Sequence, residues 1–397
     1  MTLIEDPSTD ATRRLPDHDT LAGFRDRARV ADEHNEYFHE DLAVLREIGY
    51  LGAAVPEELG GWGYDLRQLG RAQRRLATYA PATALAMTMH HYWVGIAVEY
   101  ERAGDPSLRW ILERAVAGDV FAAGHAETGN DAPVVMSTAT AVKVDGGYVV
   151  NGHKMFGSNG PAWAHLGVHA LDTSTPDQPV VVHGFVPREA PGVTVVPNWD
   201  TLGMRPSQSY DTVLDDVFVP DDRIGAITPA GDESDLFLFA MNLWFVGQVG
   251  NVYLGIAERA LELAVHSATT KSSVAIPRGT YAHNPMVQHQ VAEMYLEFDA
   301  ADATVRRFVD DCVDGVDHGD RWGAKIVSAK WRAVEAAKRV VDVALDVAGG
   351  AGMVRGHELE RLYRDVRCGG FHPTNDALTH ETAGKALLGI DPAGPRW

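Results

Sequence analysis

The run RDVRCGGFHPTNDALTHETAGKALLG, Arg364 to Gly389, holds the first group able to do chemistry. A helix-like segment ends at Gly369-Gly370, His372 sits beside Pro373, and a new amphipathic run starts near Asn375 or Asp376. An imidazole has a reference pKa near neutrality, so it can take or give a proton there. An ordinary turn between helices is the other reading. TMHHYW places His90 and His91 side by side on a helical stretch, where a lone histidine is more often structural. DVAGGAGMVRG pairs Gly349 with Gly350 after a helix. Paired glycines let backbone N–H groups approach a pyrophosphate, although such a motif is usually a helix C-cap. Cys312 and Cys368 are the only cysteines. They show neither a disulfide framework nor metal-ligand spacing, so free thiols and no metal centre are expected.

These groups need a scaffold, and the texture of the chain suggests one. Residues 1–120 read as helical, with Leu42, Leu45 and Ile48 three apart before Pro56 and paired glycines stop the run. Residues 121–230 change to short strands, with a hairpin signal at Asp145-Gly146-Gly147. Residues 231–397 return to long apolar helices, which a helical bundle accommodates. The order is α, then β, then α, in a chain of 397 residues, long enough for roughly two or three domains. A formal net charge of −20 argues against a nucleic-acid surface, which needs clustered Lys and Arg. No apolar run is expected to reach the ~18–20 residues that cross a bilayer. The polar, acidic N-terminus lacks the apolar core of a signal peptide, so a cytoplasmic location is expected.

Five segments occur in order: AVPEELGGWG, NGHKMFGSNG, LGMRPSQSYDTVLDDVFVP, GIAERALELA and GGAGMVRGHELERLYRDVR. Together they resemble the acyl-CoA dehydrogenase superfamily of flavoproteins over nearly the whole chain. The resemblance implies an α+β fold: an N-terminal helical domain, a middle β-barrel-like domain and a C-terminal four-helix bundle. It also implies a homotetramer or dimer, with FAD between the domains and a neighbouring subunit.

Candidate cofactor residues follow from that resemblance. In NGHKMFGSNG the family pattern puts an aromatic or apolar residue over the flavin and a hydroxyl two positions on, here Phe156 and Ser158. A hydroxyl near flavin N5 favours the reduced anion or an adduct. AAGHAETGND carries His125 and Ala126 where the family's loop offers backbone contacts to the flavin pyrimidine. That loop is shorter here, and Ala126 stands in place of threonine. Gly349, Gly350 and Lys271 fall where the adenosine half is held, and Asn375 falls on a family threonine. Asp346 and Pro285 replace two glutamines that grip adenosine, so FMN or a transiently bound flavin is the alternative to FAD.

The opening run departs most. Its register places Pro373 on the catalytic glutamate and His372 on the preceding tyrosine, and a proline cannot be a base. The other family location for a base, within MNLWFVGQV, has no carboxylate. His372 is the replacement base under the first reading: dehydrogenation of an acyl thioester on CoA or a carrier protein, with an electron-transfer partner. Ser158 with a histidine from each helical domain, His91 and His372, is similar to the two-component flavin monooxygenases of the superfamily. There such side chains protonate a flavin hydroperoxide, and a flavin reductase is the partner. A non-catalytic partner subunit is the third reading.

Overall fold

The computed structural model describes residues 14–390, apart from 133, 233, 275, 277 and 278. The first residues of the N-terminal run and part of KSSVAIPRG lie outside the described residues.

Five helices come first: α1 (His18–His34), α2 (His39–Glu47), α3 (Leu66–Ala77), α4 (Pro81–Arg102) and α5 (Arg109–Val116). Asp17 caps α1 by accepting from Thr20 N–H, and Asp65 with Gln68 forms a capping box on α3. α4 starts with Pro81 at its first turn and is buried on almost every side from Pro81 to Val98. It is a core helix rather than an amphipathic surface one, because apolar residues surround its axis.

The strands are β1 (Phe121–Gly124), β2 (Thr140–Val144), β3 (Gly147–Gly157), β4 (His165–Asp172), β5 (Val180–Pro187), β6 (Val193–Val196), β7 (Tyr210–Pro220) and β8 (Ile224–Pro229). They form one sheet in the order β6-β7-β3-β2-β4-β5-β8, with β1 parallel to β4 off that path. The Asp145-Gly146 turn joins β2 and β3 as an antiparallel hairpin, as the sequence suggests. The β3–β7 register shifts between Lys154 and Gly157, and Phe156 takes a left-handed φ of 59° there. The bulge re-aims the end of β3.

Five further helices follow: α6 (Leu236–Thr270), α7 (Pro285–Val313), α8 (Trp322–Ala348), α9 (Glu358–Arg367) and α10 (Asp376–Leu388). α6, α7, α8 and α10 pack as a four-helix group, and α6 also packs on α3 and α4. A Cβ at Gly95 of α4 would lie 2.1 Å from Trp244 Cδ2 of α6. Only glycine lets these two helices pass so closely. α9 ties back to α1 through Arg364, which donates to Asp32 at 2.9 Å.

One expectation is corrected. α6, at 35 residues, is long and apolar enough to cross a membrane, but 72% of its most apolar window is buried in the fold. Helical packing accounts for that apolarity.

Candidate functional site

α9 runs into a short 3-10 turn, Cys368–Phe371. A Cβ at Gly369 would meet Tyr253 Cε1 and Val334 Cγ1 at 2.8 Å, so the chain must be bare there to lie against α6 and α8. Lys330 of α8 is buried and donates from Nζ to three carbonyls of this loop: Gly369 at 2.7 Å, His372 at 3.0 Å and Thr374 at 2.9 Å. His372 Nε2 lies 2.8 Å from the hydroxyl of Tyr253 on α6. Burial, with the Lys330 charge behind it, pushes His372 down to about 3. Burial holds the Tyr253 phenol well above its ordinary value. The pair is therefore neutral at physiological pH. Pro373 is exposed. Asn375 caps α10, its Oδ1 accepting from Leu378 N–H at 2.9 Å. Asn375 thus serves as the N-cap of α10.

At the end of β3, Phe156 is 54% exposed, a large aromatic left open, with Trp199 edge-on at 6.0 Å. Ser158 is buried, and its hydroxyl is 2.8 Å from Ser209 Oγ, which is 2.8 Å from Ser207 Oγ. The neighbouring Asn159 accepts from Tyr37 at 2.9 Å and donates to Ala86 O of α4 at 2.8 Å. That side chain ties the β3 end to α4.

On α4 the adjacent histidines separate. His90 donates from Nε2 to Leu51 O at 2.8 Å and accepts at Nδ1 from Phe121 N–H at 3.2 Å. Burial pushes it down to about 4, so it is a neutral structural link between α4, the turn at Leu51 and β1. His91 is equally buried, yet among the described residues neither ring nitrogen has a partner. Its ring stands edge-on to Tyr50 at 4.8 Å, and burial holds it well below its ordinary value.

His125 follows β1, with Nδ1 3.3 Å from the Tyr92 hydroxyl and Nε2 unpartnered. Burial, then the charges of neighbouring groups, keeps it neutral. Behind it His169 donates from Nε2 to Met136 O at 2.9 Å. Beyond lies a buried ion pair, Lys154–Glu127. Glu127 also accepts from Ser137 Oγ at 2.6 Å and Thr138 N–H at 2.9 Å. Ala126 bridges to Met155, accepting from Met155 N–H at 2.9 Å. The ion pair anchors the loop that carries His125 and Ala126.

Lys271 donates from Nζ to Ala348 O at 2.7 Å, closing the end of α8. Gly349 has φ 65°, and a Cβ at Gly349 or Gly350 would meet nothing within 4 Å. This backbone is open. It follows the end of α8 at Ala348, 18 residues beyond Lys330, or about 27 Å along the helix axis. Within one chain the structure therefore does not bring Lys271, Gly349 and Gly350 to the His372 loop. The end of β3 that carries Ser158 is tied to α4, which carries His91, whereas the His372 loop lies on α6 and α8; among the described residues the three side chains make no hydrogen bond to each other. Lys330, Tyr253, Ser207 and Ser209 were not singled out by sequence.

The chain matches three family descriptions: acyl-CoA dehydrogenase N-terminal domain over residues 22–109, middle domain over 121–217 and C-terminal domain over 247–372. It is 32% identical to L-evernosamine nitrososynthase of Micromonospora sp., over 92% of this chain and 87% of that protein. It is also 32% identical to amino sugar nitrososynthase DnmZ of Streptomyces peucetius, over 93% and 92%. KijD3, solved with FMN and dTDP-3-amino-2,3,6-trideoxy-4-keto-3-methyl-D-glucose, superposes with a TM-score of 0.83 at 28% identity, covering 97% of this chain and 95% of that one. These matches span the helical, sheet and bundle regions described above, and the chain is a flavin-dependent oxidoreductase of the acyl-CoA dehydrogenase superfamily.

Proposed function

We propose that this chain is a two-component flavin monooxygenase that oxidises the amine nitrogen of an amino sugar carried on a nucleoside diphosphate. One observation carries the choice of reaction. Pro373 offers no base, and the adjacent His372 is pushed down to about 3 and bonded to Tyr253. A general base works best with a pKa near the operating pH, so His372 is poorly matched to removing the α-proton of a thioester. A neutral imidazole in a buried site is instead suited to donating a hydrogen bond. The relatives named above support the nitrogen substrate and its nucleotide carrier.

The residues present fit the isoalloxazine end of a flavin. Phe156 offers an open aromatic wall, Ser158 a buried hydroxyl, and His91 and His125 unpartnered ring nitrogens. A reduced flavin bound there would supply the electrons that activate dioxygen. Ser158 would hold its hydroxyl towards the cofactor, with Ser209 and Ser207 aligned behind it. His91 would donate or return a proton from a ring N–H that, among the described residues, no protein group uses. His372, backed by Tyr253, would hold the substrate side dry and orient the amine. FMN suits a transiently bound flavin and FAD remains the alternative. The open backbone at Gly349–Gly350 would serve the distal end of a flavin shared with a neighbouring chain in a dimer or tetramer. Domain boundaries at 120 and 230 are part of the same reading.

The test supplies purified chain with a flavin reductase, NADH, FMN or FAD, and the KijD3 ligand as substrate, under oxygen-18 gas. The expected result is a product carrying label on nitrogen, detected by mass spectrometry. No labelled product, with flavin bleached anaerobically by an acyl thioester, would overturn the proposal in favour of dehydrogenation.

A further inference from the structure

Lys330 is 2% exposed, and among the described residues no carboxylate accepts from its ammonium. Its three N–H groups instead meet three carbonyls, those of Gly369, His372 and Thr374. An ammonium has three donors and no acceptor, so the match is complete. A buried charge paired only with neutral dipoles is costly to desolvate. Evenly spread contacts on a single loop show what that cost achieves: the ammonium gathers the backbone on both sides of Phe371 and Pro373 onto α8. The loop is pinned at one end by Gly369 against Tyr253 and at the other by Asn375 capping α10. Lys330 supplies the middle.

We propose that Lys330 is a positioning residue of the reaction site, holding the 369–374 loop so that the His372 ring meets Tyr253. It acts through His372 and touches neither cofactor nor substrate. Burial and the nearby Lys338 push Lys330 down to about 7, with Glu335 opposing. Both neighbours are on α8. Facing the same loop, α6 presents the phenol of Tyr253, and α10 presents the carboxylate of Asp376, which accepts from Trp331 Nε1 at 2.8 Å. The loop is thus held by a cation whose charge is itself sensitive to its surroundings.

The inference rests on His372 belonging to the site, and its test needs no substrate, so it stands apart from the fate of the amine-oxidation reading. The full chain, isotopically labelled at histidine, is titrated by NMR with His372 assigned from His372→Asn. In the wild type His372 is expected to stay neutral down to about pH 5. In Lys330→Met both the clamp and the repelling charge are lost, so His372 should charge near the reference of about 6.5, and the charge-retaining variant separates the two causes. Lys330→Arg keeps the charge but spreads it over a plane that three converging carbonyls cannot share, so the His372 midpoint should rise here too. A folded variant with the wild-type His372 titration would overturn the proposal. Should neither variant fold, the wild type decides. A slowly exchanging Lys330 ammonium signal coupled to the three carbonyls supports the clamp, and its absence overturns it.

Discussion

The Tyr253 hydroxyl lies 2.8 Å from His372 Nε2, linking the centre of the longest helix to the loop after α9. Tyr253→Phe should leave a mostly enclosed imidazole nitrogen unpaired, at about 1–3 kcal/mol. Turnover of labelled product should fall about tenfold or more, and oxygen should be diverted to hydrogen peroxide. The measurement is the ratio of product formed to oxygen consumed. An unchanged ratio would show that the phenol is only packing.

Ser158→Ala should reduce turnover by ~10²-fold or more, the range for losing a positioned proton-handling group. Ser209→Ala should have a smaller effect, because Ser158 keeps its hydroxyl but loses its 2.8 Å partner. Steady-state rates of both variants, with circular dichroism to check folding, give the ranking. An effect of Ser209→Ala as large as that of Ser158→Ala would mean that the second hydroxyl does more than orient the first.

His91→Leu should separate stability from function. Both ring nitrogens are buried without partners, which costs ~1–3 kcal/mol that an apolar side chain of similar size avoids. The melting temperature should hold or rise while oxygenation is lost, the pattern of a site that gives up stability for activity. A variant that melts much earlier would identify His91 as structural, like His90.

Asp41 and Asp365 each contribute stability that falls as pH rises from about 4 to 7, opposite in sign to the buried histidines, whose lowered values favour the fold more as pH rises. Burial raises Asp41 to about 7 and Asp365 to about 6. A carboxyl whose folded value exceeds its unfolded value binds more protons in the native state, so its stabilising effect is full below the unfolded value and lost as pH passes the folded one. Asp41→Asn removes one falling contribution, so the slope of urea midpoint against pH between 4 and 7 should become more positive. The same slope in the variant would assign the dependence elsewhere.

Much of this architecture was legible from residues alone. The change from helical to two-residue periodicity near residue 121, and back after 230, reflects side-chain geometry that survives without tertiary information. So does the Asp145-Gly146 turn. Pro373 was equally readable, since proline lacks any proton to exchange. What sequence could not separate was His90 from His91. They are adjacent on one helix, and only the placement of Leu51 and Phe121 satisfies one ring and leaves the other bare. Ser207 and Ser209 had a faint signal, two hydroxyls two residues apart in SQSY, but their link to Ser158 crosses about fifty residues. Lys330 had a better one. It falls on the buried face of α8, with Ile326, Ala333 and Ala337 at helical spacing. A lone lysine on such a face implies acceptors, though not which.

Gly95 lies one helical turn from His91, and α4 there passes within a methyl group's reach of Trp244. The separation between the helix that carries His91 and the one that carries Tyr253 is therefore set by a hydrogen atom. Any side chain at position 95 would act as a wedge, prising the two helices apart. Misplacing a catalytic group by about 1 Å can cost ~10²-fold in rate. On the proposed reading, the chemistry thus depends on a residue that offers no chemistry: a substitution at a silent position one turn along the same helix face would disable the enzyme while every catalytic side chain was retained.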